Sequence, residues 1–258
     1  MIEILSPAEV ERGRATGALV GTILQTLRER SVSGTNLLDI DRWTRELIAA
    51  AGATSCYLDY EPVWAEGPFG FAICTGVNDG VLHGKPYDYR LVDGDLLSLD
   101  LAVILDGIAA DAAISFVVGG TGDAESVALI DATERALAAG IAAARPYGRT
   151  GDISHAIGTV LRESGYEVNT QLGGHGIGTT MHQEPPVPND GRAQRGYELR
   201  PGMLLAIEPW VMADTAALVT DADGWTLRSA TGCRTAHTEH TVAITADGAE
   251  ILTLPPAR

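Results

Sequence analysis

The segment Gly94–Phe116, GDLLSLDLAVILDGIAADAAISF, is apolar enough to be buried, yet Asp100 and Asp111 interrupt its apolar run. Asp106-Gly107 is a strong signal for a two-residue hairpin turn. Such a turn sets Leu105 opposite Ile108 and Asp111 opposite Ala102. Side chains alternate along a strand, so Ala102 and Asp100 share a face. The two acids are then diagonal neighbours, roughly 7–8 Å apart at the backbone and closer at their tips. Carboxylates on a shared, half-buried face repel each other and lose hydration. One acid can stay protonated, a basic partner can pair with them, or a cation can sit between them. No Lys or Arg occurs between Gly94 and Phe116. On this hairpin alone, a metal-bridging pair and a water-facing strand edge are equally open.

Three further stretches carry residues that suit a hard-to-intermediate divalent metal. Gly173–His182, GGHGIGTTMH, sets His175 and His182 among glycines, ahead of Gln183-Glu184-Pro185-Pro186. Pro201–Pro209, PGMLLAIEP, ends an apolar strand on Glu208, and Thr238-Glu239-His240-Thr241-Val242 opens another strand with Glu239. Each has an ordinary reading by itself: a structural histidine, a solvated strand end, a common residue pair. His155 and His237 fit no such pattern and are expected at the surface or in packing.

The elements that must position these groups follow from local signals. Ser6-Pro7-Ala8-Glu9 reads as a capped helix start, with the helix running to about Arg30. A second helix is expected from Gly34-Thr35 to about Ala51, stopped by Gly52. Strands are expected near Gly70–Thr75 and within Leu96–Phe116. Helices follow at Ala124–Ala144 and Asp152–Glu163, then strands at Met203–Glu208, Thr226–Ser229 and His240–Ile244. Asp39-Ile40 and Asp152-Ile153 each precede a helix-stopping glycine by 13 residues, a weak echo of a duplicated α+β unit. No linker separates the halves, so one compact body with a cleft between half-units is expected.

Composition narrows the partners. The 258 residues are 45% hydrophobic and 20% charged, enough for a core without staples. A net charge of −16 repels nucleic acid and anionic lipid, and suits a cationic ligand or bound metal ions. No apolar run reaches membrane-span length. MIEILSPAEVERGR lacks the basic start and apolar stretch of a signal peptide. Cys56, Cys74 and Cys233 form no CxxC pair and read as reduced cytosolic thiols. A cytoplasmic enzyme or binding protein is expected.

Taken in order, Asp100, Asp111, His175, Glu208 and Glu239 resemble the ligand series of the dinuclear pita-bread metallopeptidases, and within them the type I methionine aminopeptidases. The matching stretches also include Cys74-Thr75-Gly76-Val77-Asn78, Leu82-His83-Gly84, Asp93-Gly94-Asp95 and Asp223-Gly224-Trp225-Thr226. Nearly the whole chain takes part. The resemblance implies an α+β pita-bread fold: two pseudo-symmetric halves, about 1–120 and 121–258, with helices over a curved antiparallel sheet in one catalytic domain. It implies removal of the initiator methionine from nascent proteins when the second residue is small. It implies two divalent metal ions, Co, Mn or Fe with Zn also admissible. Asp111 and Glu239 would bridge them, Asp100 would complete one, and His175 and Glu208 the other. Glu208 would also act as base, His182 would stabilise the intermediate at the scissile carbonyl, and His83 would hydrogen-bond the peptide. Cys74, Met181 and Trp225 would line the methionine pocket. A monomer is favoured, and a transient ribosome contact is admitted. With Ile2 in second place, Met1 should be retained.

Some features depart from the family pattern. Ala112 stands where many relatives have Thr or Cys, which removes a hydroxyl beside a ligand. The stretch Asp59–Phe71, DYEPVWAEGPFGF, is longer than expected and should form part of the pocket rim, with Tyr60 and Trp64 left without assigned roles. Met181 stands where an aromatic is frequent. Two other readings share the ligand set. Xaa-Pro aminopeptidases or dipeptidases usually add an N-terminal domain, for which the first helix near residue 6 leaves no room. A non-catalytic pita-bread binding protein would have lost ligands, whereas all five residue types are in place. The helical insertion of type II methionine aminopeptidases is also absent between His182 and Glu208.

Overall fold

The structure is a computed structural model describing residues 2–256; Met1, whose retention is expected, lies outside them. Ser6 caps the first helix. Its hydroxyl accepts from the Glu9 N–H, and the Glu9 carboxylate accepts from the Ser6 N–H. This reciprocal box starts α1, Pro7–Arg30. Asn36 caps α2, Leu37–Ala50, through its side-chain oxygen. That cap sets the helix start after Gly34-Thr35, because Gly34 has φ +90 and belongs to the turn.

Five strands follow: β1 Thr54–Ser55, β2 Cys74–Val77, β3 Gly80–Leu82, β4 Leu96–Leu105 and β5 Ile108–Val117. The strand expected from Gly70 begins only at Cys74, because Gly70 turns the chain at φ +81. Helices α3, Ala124–Ala143, and α4, Thr150–Glu163, come next. Asp152 lies one turn inside α4, where its carboxylate accepts from the Arg149 N–H. The remaining strands are β6 Gly173–Ile177, β7 Gln183–Pro188, β8 Leu204–Ile207, β9 Trp210–Met212 and β10 Leu218–Thr220. The chain closes with β11 Leu227–Ser229, β12 Thr235–His237, β13 Glu239–Ile244 and β14 Ala249–Ile251.

A nine-stranded sheet runs in the order β1-β4-β5-β13-β8-β6-β7, with β2 also on β4 and β14 on β13. The hairpin register is the expected one, Leu105 opposite Ile108 and Ala102 opposite Asp111. One face is covered by helices. Leu99, Leu101, Val103, Ala110 and Ala112 pack with Val20, Leu24 and Ile40 of α1 and α2. Leu205, Ile207 and Val242 pack with Leu137, Ile153 and Ile157 of α3 and α4. The Asp-Ile echo thus places Ile40 and Ile153 at equivalent depth in the two cores. Burying these side chains contributes about 1.5–3 kcal/mol each.

The GGHGI run is a strand rather than the loop its glycines suggest. A Cβ on Gly174 would run into the Ala206 carbonyl oxygen, so glycine there permits close strand approach. Pro185 and Pro186 are tolerated because β7 ends the sheet order. Among the described residues, no helix is long and apolar enough to cross a membrane.

Candidate metal centre and active site

The register decides which side chains share the face opposite the helices. Asp100 pairs with Ala113, and Ala102 with Asp111, so both acids of the hairpin project to one side. Ala113 pairs in turn with Glu239. His240 pairs with Ile207, which sets Glu239 beside Glu208 just past the end of β8. Ala206 pairs with His175. Alternation therefore brings Asp100, Asp111, Glu239, Glu208 and His175 to one face. They come from β4, β5, β13, β6 and the residue just past β8, and these five strands are neighbours in sheet order. Cys74 joins that face opposite Asp100. Ala102 and Ala113, fully buried on the same face, leave space beside the carboxylates.

All five line one cavity of about 600 Å³. Asp111, His175 and Glu239 each offer a ligand atom, and these lie within 4.8 Å of one another. His175 Nε2 lies 3.7 Å from Glu208 Oε1. The backbone behind Asp111 is fixed by Thr241, whose hydroxyl accepts from the Asp111 N–H and donates to its carbonyl at 2.8 Å. Ala112 is buried under this contact on the helix-covered side, so its missing hydroxyl faces away from the site.

Burial dominates the electrostatics. It pushes Asp100 up to about 6, against the opposing hydrogen bond from Tyr57. It pushes Glu208 up to about 8, helped by the nearby Asp100 charge. Asp111 and Glu239 are raised well above the usual carboxylate range by burial and then by their acidic neighbours. His175 falls to about 3 and His83 to about 4, through burial and then His182, so both imidazoles are neutral and free to accept or ligate. Among the described residues no Lys or Arg lines the cavity. Glu239 Oε1 is buried without a hydrogen-bond partner. Four carboxylates, one imidazole, an orphaned acceptor and no fixed cation fit divalent metal ions of the oxygen-preferring kind.

The remaining expected residues surround this centre. His83, His182, Cys74, Met181 and Trp225 all line the cavity. Cys74, Met181 and Trp225 pack with Tyr57, Phe69 and Ala102 in one apolar cluster. The 59–71 stretch forms the rim, as expected. Tyr60 places its hydroxyl 3.0 Å from His182 Nδ1. Trp64, 60% exposed, stacks over His83 at 6.4 Å and meets Trp225 edge-on at 5.0 Å.

The chain carries the sequence signature of metallopeptidase family M24 over residues 11–246. It is 41% identical over 96% of its length to methionine aminopeptidase 1 of Mycobacterium tuberculosis, covering 94% of that protein. The chain belongs to metallopeptidase family M24, on its methionine aminopeptidase branch. It is also 37% identical to the Aquifex aeolicus methionine aminopeptidase, over 98% of both chains. The crystal structure of the Thermotoga maritima methionine aminopeptidase superposes with a TM-score of 0.92 at 34% identity, covering 98% of this chain and all of that one. The prolidase from Pyrococcus furiosus shares the fold alone, with a TM-score of 0.75 at 20% identity. The curved antiparallel sheet with helices on one face is thus the pita-bread fold, and the chain is a hydrolase of the metallo-exopeptidase kind.

Three residues escaped the sequence reading. Tyr57 places its hydroxyl 2.5 Å from Asp100 Oδ1 and 3.1 Å from Asp111 Oδ1. It sits just past a two-residue strand, and no local pattern points it inward. Phe69 was hidden in the long rim segment. His237, expected at the surface or in packing, is buried with Nε2 3.9 Å from Glu208 Oε2 and 4.0 Å from Glu239 Oε2. His237 ends β12 and Glu239 opens β13, so the only signal in the sequence was a histidine two residues before a ligand candidate. His155 is exposed on α4, as expected.

Proposed function

We propose that this enzyme removes the N-terminal methionine from proteins whose second residue is small, using two divalent metal ions. The observation that carries the reading is the convergence of four carboxylates and one imidazole, from four strands and the end of a fifth, in a cavity whose described lining has no Lys or Arg. Asp111 and Glu239 would be shared between the ions, Asp100 would complete one, and His175 and Glu208 would complete the other. When bound, the ions supply Lewis acidity and lower the pKa of a water. Manganese, iron and cobalt suit this donor set better than a thiolate-seeking metal, and zinc is admissible.

The chain's own groups do the rest. Glu208 accepts a proton from the attacking water as its oxygen bonds to the scissile carbonyl carbon. The same carboxyl then returns that proton to the amide nitrogen as the C–N bond breaks. The Tyr60 hydroxyl lies 3.0 Å from His182 Nδ1; in the tautomer where the phenol donates there, the imidazole proton sits on Nε2 for the carbonyl oxygen. His83 holds the peptide beside the scissile bond, under the Trp64 ring. Cys74, Met181 and Trp225, with Tyr57 and Phe69, enclose the methionine side chain among sulfur and aromatic groups. The acidic surface suits a cationic N-terminal amine. The corresponding setting is a monomer in the cytoplasm, meeting nascent chains near the ribosome.

The test uses Met-Ala-Ser and an Xaa-Pro peptide with added Mn or Co. Chelator-sensitive release of Met from Met-Ala-Ser is expected. Cleavage only before proline, or no turnover with any metal, contradicts the reading.

A further inference from the structure

One buried hydroxyl has no part in the reaction described above. Tyr57 is 7% exposed, and its ring packs edge-on against Phe69 with centroids 5.9 Å apart at 72°. The segment is tied to the sheet. The Cys56 N–H donates to the Ala102 carbonyl on β4, and the Tyr57 N–H donates to Ser55 Oγ at 3.1 Å. The phenol is therefore anchored to the strand that carries Asp100. It enters the ligand cluster from the side of the methionine pocket, 2.5 Å from Asp100 Oδ1 and 3.1 Å from Asp111 Oδ1.

We propose that Tyr57 is a positioning residue for the metal centre, its hydroxyl fixing the Asp100 and Asp111 carboxylates in the orientation that receives the ions. The inference rests on the ligand roles proposed for those two residues. An aspartate χ2 torsion is broad and nearly two-fold, so a free carboxylate presents many orientations to an ion. A hydroxyl held against one oxygen of each acid, its proton shared between them, limits that freedom before an ion arrives. The second oxygen of each is left to face the ions. The phenol has one proton, so the shorter contact marks Asp100 as its main acceptor. Partners that orient a metal ligand in this way typically change metal affinity by about 10–100-fold when removed.

The test compares wild type with Tyr57→Phe, which keeps the ring and its Phe69 contact and removes only the hydroxyl. Chelator-stripped protein is titrated calorimetrically with MnCl2 at one pH. Turnover of Met-Ala-Ser is then measured at saturating Mn. The expected result is a Kd raised about 10–100-fold, with kcat lowered and KM for the peptide nearly unchanged. An unchanged Kd, or a tighter one, overturns the proposal. Phe69→Leu disturbs the same aromatic contact and spares the hydroxyl, so an equal loss of affinity there assigns the effect to packing and also overturns it. Asp100→Asn is titrated in parallel. If that variant binds Mn like wild type, the ligand assignment itself has failed. If it loses an ion while Tyr57→Phe binds normally, only the positioning role has failed.

Discussion

Raising the pH of the metal-free protein from 6.5 to about 8 should lower its stability, and the site supplies both the sign and the size. Glu208 rises from 4.5 to about 8 because it is buried beside Asp100. A carboxyl whose folded pKa exceeds its unfolded one contributes stability that is full below the unfolded value. That stability is lost as pH rises through the folded value. The buried histidines act in the opposite sense. His175 and His237 are lowered to about 3, His83 and His240 to about 4, so they cost stability as pH falls below the ordinary 6.5 and add no slope above it. Asp100, at about 6, completes most of its loss below the same window. Above pH 6.5 the other raised carboxyls therefore act alone. At about 1.36 kcal/mol per pH unit, Glu208 by itself removes roughly 2 kcal/mol across the interval. Asp111 and Glu239 push in the same direction. For a chain of this size that is a fall of about 4–8 °C in Tm. Scanning calorimetry in EDTA reads it directly. Added Mn should reverse the slope, since ions bind the deprotonated ligands. A metal-free Tm that stays flat or rises over this interval refutes the reasoning.

Other outcomes follow from the same geometry. Asp111→Asn should lose at least one ion by elemental analysis, together with nearly all turnover. His182→Ala should lower kcat by about 10²–10³-fold, in keeping with loss of a donor at the carbonyl oxygen, and leave Mn stoichiometry unchanged; steady-state kinetics and elemental analysis check both. Gly17→Ala should destabilise the protein by about 1–3 kcal/mol in urea unfolding, because a Cβ there would strike the Leu252 carbonyl oxygen from inside α1.

The legible parts of this chain were those with local causes. Asp106-Gly107 fixes the hairpin register within two residues, and that register alone puts Asp100 and Asp111 on one face. The Ser6 capping box likewise places the first helix to the residue. Grouping the five ligand candidates was a different problem. They lie on five strands that are neighbours only after the chain has crossed the sheet, so their order along the sequence mattered more than any spacing. The glycines around His175 gave no strand signal, because close strand approach, not φ, demands them. Tyr57 was beyond reach: its role depends on how the segment after β1 docks beside Asp100, a tertiary contact with no periodic trace. His237 was passed over because a buried imidazole reads as packing until the facing carboxylates are known.

The central claim is that Asp100, Asp111, His175, Glu208 and Glu239 together hold two divalent ions. Anomalous diffraction from crystals of the Mn-loaded protein tests it most directly. The account predicts two peaks on the ligand face of the sheet, about 3.5–4 Å apart, with Asp111 and Glu239 touching both. Peaks elsewhere, or none within reach of these five side chains, would contradict it.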